Sequence, residues 1–270
     1  MGFIGSYFSF DGIPCTEYGL LIYDMENASQ GTSSFASAGE IQESWISSRN
    51  KSFFYGLRKD QPLQFSIVFG IDPQTADMND YLDRYEIDAI GNWLTGHNKR
   101  KWLEITQPDM ELVRYSCVIT DLARIDHAWL PWAFSATVTC GSSYGTMHPM
   151  NYRYECSGIT PVKLFNRSTI NLDYYPKMTI ELNGSNTVSI VNQSVGASEF
   201  KFEGLPRPQL LTISIDNENK IIKSSDSDYP NLYRYFNSNF LFLKRGTNKL
   251  LVTGDCVVNF MCEFPVNFGG

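Results

Sequence analysis

The sequence predicts a mainly β fold in two domains, with one α-helix. Short segments that alternate between apolar and polar side chains recur along most of the chain, and this period of two is the pattern of strands. Aromatic residues, which favour strands, make up 14% of the 270 residues. A convincing helical pattern, with apolar residues every three to four positions, occurs at about 77–95.

The chain begins with strand patterns and then changes character. Two short strands at 3–10 and 18–24 are joined through the turn sequence DGIP at 11–14. A segment rich in Ser, Ala and Gly follows at 25–40, and its one aromatic residue is Phe35. Because such a segment buries little apolar area by itself, it is predicted to be a mobile loop or an extended arm that becomes ordered against a neighbour.

The helix is the next clear element after strand patterns at 44–49, 52–57 and 62–70. Asp77 is the expected N-cap, and Gly96 is the expected C-terminal stop. The predicted apolar stripe consists of Tyr81, Leu82, Tyr85, Ala89, Ile90, Trp93 and Leu94. Such a stripe predicts that the helix lies against a sheet.

A domain boundary is predicted where the strand pattern lapses. Further strands are predicted at 101–106, 111–125 and 131–140. The segment 141–158 is then rich in Gly, Ser, Pro and Tyr, and regularly spaced strand patterns without a helical period follow it. The sequence therefore predicts an N-terminal β-domain with the helix at 1–148 and a C-terminal all-β sandwich at 149–270.

The segment NFLFLKRGTNKLLVTG, at 239–254, is predicted to be a β-hairpin of the C-terminal sandwich. Apolar residues alternate on both sides of an interruption at 245–248. One predicted face carries Phe240, Phe242, Leu250 and Val252, and the other carries Leu241, Leu243 and Leu251. The second face needs a cover, which is a second sheet in the favoured interpretation and a partner surface or a sugar in the alternative.

Charge and hydropathy argue against two classes of partner. The formal net charge is −7, and the basic residues are scattered apart from the run Lys99, Arg100 and Lys101, so no basic stripe for nucleic acid is predicted. That run is expected to follow the end of the helix and to offset its dipole. No apolar stretch has the length of a membrane span, and the first residues do not resemble a signal peptide.

Residues that could support chemistry do not form a recognisable motif. The three histidines, His97, His127 and His148, lie in separate predicted loops, and no nucleophile elbow, dinucleotide or P-loop motif occurs. The six cysteines are spread singly and are predicted to be reduced, buried and structural. The sequence therefore predicts no catalytic residue, no cofactor and no metal ligand, and it predicts that the protein is not an enzyme.

Acidic residues leave two weaker alternatives. Glycoside hydrolysis needs two neighbouring carboxylates, for which Asp109 with Glu111, or Glu155, are candidates that nothing in the sequence selects. Asp226 and Asp228 in a polar loop could bind calcium, but the EF-hand spacing is missing and a solvated turn is favoured.

A set of short motifs runs along nearly the whole chain. The first half contains FSFDGI, YGLLIYD, Arg49 before the pair Tyr55-Gly56, PLQFSIVFG and NWLTG. The second half contains YPKMTIELNGSNTVSIVN, LLTISID and FLFLKRGTNKLLVTG. Each motif is weak alone, but in this order and spacing the chain resembles the distal tail proteins (Dit) of long-tailed bacteriophages.

The resemblance implies a structural virion protein at the tail tip, assembled in the host cytoplasm. In that family an N-terminal β-sandwich with a helix forms a six-membered ring, and a C-terminal galectin-like β-sandwich lies outside it. The ring would join the major tail tube protein to the tail-associated hub protein and support receptor-binding proteins. The resemblance also implies that the arm at 29–38 clasps the next subunit.

The expected subunit interface therefore comprises Phe35, Ser33, Ser34, Phe8 and Phe10. The alternative function is a carbohydrate-binding baseplate protein that contacts the host surface. The chain is short for the inserted carbohydrate modules of larger relatives, and no Trp follows Trp132, so a Trp stacking platform for sugars is absent from the second domain. A tyrosine could substitute for it.

Overall fold

The structure is a computed structural model. It describes residues 7–25, 40–45, 47, 51–58, 62–73, 81–106, 112–127, 129–206, 209 and 211–267. The chain divides into one unit of Met1–Met147 with Val266–Gly270 and a second unit of His148–Pro265. Antiparallel strands dominate both units, and the described ranges contain one α-helix, so the predicted mainly β class is confirmed.

The first unit contains most of its strands before and after the helix. Its elements are β1 (Tyr7–Phe10), β2 (Ile13–Pro14), a 3-10 helix (Cys15–Tyr18), β3 (Leu20–Met25), β4 (Glu40–Ser44), β5 (Phe53–Arg58), β6 (Gln64–Ile71), α1 (Arg84–Thr95), β7 (Lys101–Thr106), β8 (Val113–His127), β9 (Leu130–Cys140) and β10 (Gly145–Met147), to which β20 (Pro265–Val266) is added at the end of the chain.

The second unit is built from strands and short connections. Its elements are β11 (Met150–Cys156), β12 (Ile159–Asn166), β13 (Lys177–Leu182), β14 (Val188–Asn192), a 3-10 helix (Gln193–Val195), β15 (Ser198–Phe202), β16 (Thr212–Asp216), β17 (Ile221–Ser224), a 3-10 helix (Tyr233–Tyr235), β18 (Gly246–Thr253) and β19 (Cys256–Cys262).

A nine-stranded sheet forms the body of the first unit. Its main path is β2-β1-β7-β8-β9-β6-β3, and β10 pairs with β8 and with β20. The turn between β1 and β2 has positive φ at both Asp11 and Gly12, which suits a two-residue hairpin. Alternate residues of the long strands are buried, and helix α1 contributes Ile90, Trp93 and Leu94 to the same core.

The helix begins later than predicted. Its N-cap is Asp83, whose carboxylate accepts from the backbone N–H groups of Tyr85 and Glu86, while the Glu86 side chain accepts from the Asp83 N–H. This reciprocal capping box fixes the first turn. Tyr81 and Leu82 therefore precede the helix, and the predicted N-cap, Asp77, lies outside the described residues.

The period of the apolar residues predicted too early a start for the helix because Leu82, which fits that period, is held by a tertiary contact. Its backbone N–H donates to the Pro131 carbonyl (2.7 Å), so Leu82 is a buried residue of the connection before the helix and not of a helical face. Tyr85 was also placed wrongly on the buried stripe, since it is exposed. The predicted end is correct, because Gly96 is the C-cap and donates to the Asn92 carbonyl.

The second unit consists of two antiparallel sheets. One has the order β11-β19-β13-β16-β17, and the other has the order β12-β18-β14-β15. Each sheet buries the alternate residues of one face, as with Ile180 and Phe260 in the first sheet and Ile190 and Val252 in the second. Because each sheet is buried on one face, the two sheets of this unit pack face to face, which is the arrangement of a β-sandwich.

Two strand predictions in this unit are wrong. Strand β11 lies inside the segment predicted as a boundary, because alternation in Met150–Cys156 was obscured by its many polar residues. The sequence STINLDYY at 168–175 is one of the regularly spaced segments that predict a strand, but it makes only an isolated bridge from Tyr174 to Leu243.

The predicted hairpin at 239–254 is also wrong. Only its second half is a strand, β18, whereas Leu243 makes an isolated bridge and its neighbours are irregular. Leu241 and Leu243 are buried, as expected if that face is covered within the protein, whereas Phe240 and Phe242 of the other face are only half-buried.

The side chain of Asn248 replaces the backbone ladder that a hairpin would have made. Its Oδ1 accepts from the Lys244 backbone N–H (3.0 Å), and its Nδ2 donates to the carbonyls of Lys244 (2.7 Å) and Gly246 (3.1 Å). The buried Asn192 amide also donates to Asn248 Oδ1 (3.2 Å). Alternation in the sequence cannot reveal this, because the turn is closed by an amide rather than by strand pairing.

We expect Asn248→Ala to lower the free energy of unfolding by about 1–3 kcal/mol, because it leaves buried polar groups without partners. Chemical denaturation followed by circular dichroism measures the change. The matched control is Asn183→Ala, since Asn183 is exposed and is expected to contribute less than about 0.5 kcal/mol. Equal effects of the two substitutions would contradict the role given to Asn248.

Candidate interaction surfaces

The structure corrects part of the predicted subunit interface. Phe35, Ser33 and Ser34 lie outside the described residues. Phe8 and Phe10, also predicted to contact a neighbouring subunit, are buried in the core of their own unit. Phe8 stacks on Trp93 with ring centroids 5.7 Å apart, and the Trp93 Nε1–H donates to the Phe10 carbonyl (3.1 Å). Their side chains are therefore structural.

The first exposed candidate is the hairpin of β4 and β5. These strands form a two-stranded sheet of their own, with pairing from Glu40 opposite Arg58 to Ser44 opposite Phe53. A register shift between Gln42 and Glu43 bulges the hairpin. An isolated two-stranded hairpin is at best marginally stable in water, so this element needs a further surface to pack against.

Aromatic side chains project from this hairpin. Trp45 is 65% exposed and Tyr55 is 69% exposed. Polar contacts hold their positions, because Trp45 Nε1 donates to Glu43 Oε1 (3.1 Å) and Tyr55 shares a hydrogen bond with Ser44 (2.9 Å). Hydrogen bonds from Ser52 and Trp45 also lower the pKa of Glu43 below its usual value. The hairpin therefore presents two exposed aromatic side chains, which hydrogen bonds to polar neighbours hold in position.

The second candidate is the far part of the β8–β9 hairpin. Strand β7 pairs with β8 only as far as Cys117, whereas β9 accompanies β8 to His127. None of the β8 side chains from Thr120 to His127 is buried. Register shifts near Asp121 and Asp126 bend this part of the hairpin.

The tip of this hairpin carries Trp129, which is 95% exposed and has a φ of 71°. A left-handed backbone is rare for a bulky residue and costs on the order of 1–3 kcal/mol, so it is found where the surrounding structure imposes it. The adjacent Leu130 is exposed as well. The turn therefore holds two large apolar side chains in solvent.

Helix α1 and the residues just before it add further exposed aromatics beside this tip. Tyr81 is exposed and Tyr85 is 86% exposed. The hydrogen bond from Leu82 to Pro131 ties the approach to the helix to the base of the hairpin tip. We refer to Tyr81, Tyr85, Trp129 and Leu130 together as the tip surface.

The second unit has a groove of about 350 Å³ on the outer face of its five-stranded sheet. Neighbouring strands place Asn259, Thr179, Ser214 and Lys223 side by side across it. None of the residues that line the groove is aromatic, so it offers no stacking face for a sugar ring. The exposed Tyr233 uses its hydroxyl within the subunit, donating to the Lys220 carbonyl (2.8 Å).

The candidates for chemistry remain isolated. Asp109 and Glu111 lie outside the described residues, and Glu155 is an exposed residue 4.0 Å from Arg153. Asp226 accepts from the Asp228 backbone N–H (2.9 Å), which forms the favoured turn. The part of the chain that the structure describes holds no cluster of three or more His, Cys, Asp or Glu placed to bind a metal.

All six cysteines are buried, as predicted. Burial raises the pKa of both Cys117 and Cys256 to about 12. Among the described residues, no helix has the length and apolar character needed to cross a membrane.

These features belong to a protein of phage tails. The model of the phage tail protein N-terminal domain matches residues 3–142, and the model of the phage tail C-terminal domain matches residues 144–262. The chain belongs to this family of phage tail proteins and is a structural component of the tail. The family resemblance seen in the sequence is thereby confirmed.

The chain is also similar to individual proteins along nearly its whole length. The chain is 20% identical over 263 residues to the SPbeta prophage-derived uncharacterized protein YomH of Bacillus subtilis (strain 168), with 96% of each chain covered. Its fold is that of the phage SPP1 Dit protein, with a TM-score of 0.65, 13% identity and coverage of 96% of this chain and 98% of that one. SPP1 Dit is described as a paradigm of the hub adsorption apparatus in phages that infect Gram-positive hosts. A structure of the phage P2 baseplate matches with a TM-score of 0.46, 11% identity and coverage of 96% and 98%.

The sequence alone did not reveal that Trp45 and Trp129 are exposed. Trp45 was placed in a predicted strand at 44–49, and Trp129 lies in the short connection between two predicted strands. A tryptophan followed by a leucine in a turn was the available signal, because turns rarely bury large apolar groups.

We expect Trp45→Ala and Trp129→Ala to change the free energy of unfolding of the isolated subunit by less than about 0.5 kcal/mol, because both side chains are exposed. Trp93→Ala is the matched control, and its loss from the core is expected to cost about 3–5 kcal/mol. Urea denaturation at a concentration that favours single subunits measures all three. A cost for Trp129→Ala as large as that for Trp93→Ala would show that the indole is part of the subunit's own core.

Proposed function

We propose that the protein is a distal tail adaptor that forms a six-membered ring at the tail tip. The ring joins the major tail tube protein to the tail-associated hub protein and supports receptor-binding proteins. Membership of the phage tail family and the fold shared with SPP1 Dit support this proposal. Its role is structural and not enzymatic.

The observation that carries the proposal is the β4–β5 hairpin. Among the described residues its two strands pair only with each other, it presents Trp45 and Tyr55 to solvent, and in the sequence it comes shortly after the arm at 29–38. A hairpin of this kind gains stability when another surface covers its aromatic side chains. In a ring that surface belongs to the next copy, so that the arm and the hairpin together clasp the neighbouring subunit.

A ring makes the same contact at every subunit boundary. Each copy offers two different surfaces, because a closed cyclic assembly repeats one heterologous interface. Ordering of the clasp is then linked to assembly by mass action, and the apparent stability of the hairpin rises with protein concentration.

The thiols of the chain support a structural role. Cys117 and Cys256 are buried, and with a pKa of about 12 they are protonated at neutral pH. A protonated, buried thiol is a poor nucleophile. These cysteines therefore fill space in the two cores.

Electron microscopy and mass photometry of the purified protein test the ring directly. We expect six-fold ring particles and a species of six times the subunit mass. A protein that stays monomeric across micromolar concentrations would contradict the proposal.

We expect Phe35→Ala to weaken ring assembly about tenfold or more while leaving the subunit folded, because Phe35 is the one aromatic residue of the proposed arm. The concentration at which half of the protein is assembled, measured by mass photometry, reports the change. Phe165→Ala is the matched control, since Phe165 is an exposed phenylalanine of the second unit. An unchanged oligomer distribution in Phe35→Ala would contradict the role of the arm.

A further inference from the structure

The tip surface is an apolar patch that its own subunit leaves in solvent. Trp129 and Tyr85 are almost fully exposed, and the Leu82–Pro131 hydrogen bond brings the neighbouring Tyr81 and Leu130 to the same place. Clustered exposed aromatics of this kind mark protein contact sites, whereas single exposed apolar residues do not.

The surroundings of the tip surface are acidic. Asp83, Glu86 and Asp88 are exposed on or beside the first half of helix α1, and Asp126 is exposed next to the hairpin tip. Arg84 is exposed among the first three, and Arg124 offsets Asp126, to which it is ion-paired at 2.7 Å. Carboxylates still outnumber guanidinium groups around the tip surface, so positive charge on a partner favours docking there.

The other end of the same helix has the complementary character. Lys99 and Arg100 are exposed just beyond Gly96, and neither has a carboxylate within ion-pair distance among the described residues. We call Lys99 and Arg100 the basic end. Lys101 does not belong to it, because its ammonium is already paired with Asp11 (2.6 Å).

The two patches cannot satisfy each other within one subunit. Helix α1 has 12 residues and separates them by its length, which at 1.5 Å per residue is about 18 Å. Each subunit therefore carries one aromatic, acidic patch and one basic patch at opposite ends of one rigid element.

We propose that the tip surface of one copy docks on the basic end of the next copy, which rests on the proposed ring. The Lys99 ammonium and the Arg100 guanidinium would lie against the indole and phenol rings of the neighbour, where cations are attracted to aromatic faces. The acidic residues beside those rings add charge complementarity. The contact is head to tail, so it repeats around a ring and uses both patches of every copy.

A second copy is the favoured occupant because the chain itself supplies both halves of the contact. A different tail protein on the tip surface would leave the basic end without a partner, and it would have to bring its own cations. The alternative occupant is an outcome of the experiment.

The test is to mix two variants. Trp129→Ala damages the tip surface and keeps the basic end, whereas the double variant Lys99→Glu/Arg100→Glu damages the basic end and keeps the tip surface. We expect each variant alone to need at least tenfold more protein for assembly than the wild type, as measured by mass photometry. A one-to-one mixture is expected to form heterodimers with the affinity of the wild-type contact, because one intact tip surface meets one intact basic end. At protein concentrations where neither variant assembles alone, these dimers stop at two copies, since their outer ends carry the damaged patches.

Controls exclude a general effect of charge reversal and an effect of misfolding. Lys163→Glu reverses an exposed charge in the second unit and is expected to assemble like the wild type. Circular dichroism checks the fold of each variant, and Lys99→Glu alone replaces the double variant if Arg100→Glu disturbs the packing of Arg100 against Gly141.

The outcomes separate the inference from the proposed function. A monomeric wild type overturns the ring itself. A wild-type ring that Trp129→Ala leaves unchanged overturns this contact only, and it assigns the tip surface to another tail protein. Weakened variants that fail to rescue each other in the mixture also overturn the head-to-tail pairing.

Discussion

One constraint governs the molecule. The first unit carries more large apolar side chains than its own core buries. The two sheets of the second unit cover each other, and helix α1 with the inner aromatics fills the core of the first unit. The β4–β5 hairpin and the tip surface lie outside those cores and keep large aromatic side chains in water. Burial of that remaining area is the driving force available for assembly.

The division between core and hairpins also separates two tasks. Phe8, Phe10 and Trp93 lock the helix to the sheet, so the body of the first unit can position the hairpin tip as a rigid support. In the proposed ring, the tip of the β8–β9 hairpin would fix the orientation of neighbouring subunits, and the β4–β5 hairpin would add buried area and gain order from the copy that covers it.

The strands, the helix and its end at Gly96 could be predicted from the sequence, because local periodicity and capping residues determine such elements. The prediction failed where a side-chain hydrogen bond or a contact distant in sequence decides the outcome. Asn248 closes a turn through side-chain bonds to the nearby Lys244 and Gly246 instead of a hairpin ladder, and the backbone N–H of Leu82 bonds to the distant Pro131 before the helix begins. The interface residues show the same limit, because Phe8 in a strand and Trp129 in a turn are equally apolar in sequence, and only the fold buries one and exposes the other.

Hydrogen exchange of the amide groups, measured by mass spectrometry over a series of protein concentrations, tests most directly whether sister copies cover the exposed hairpins. Peptides from β4–β5 and from the β8–β9 tip are expected to exchange fast in dilute protein and to become protected as assembly proceeds. Peptides from β13 and β19, in the core of the second unit, should exchange equally slowly at every concentration. Exchange of the hairpin peptides that stays fast in the assembled protein would contradict the claim that the copies cover them.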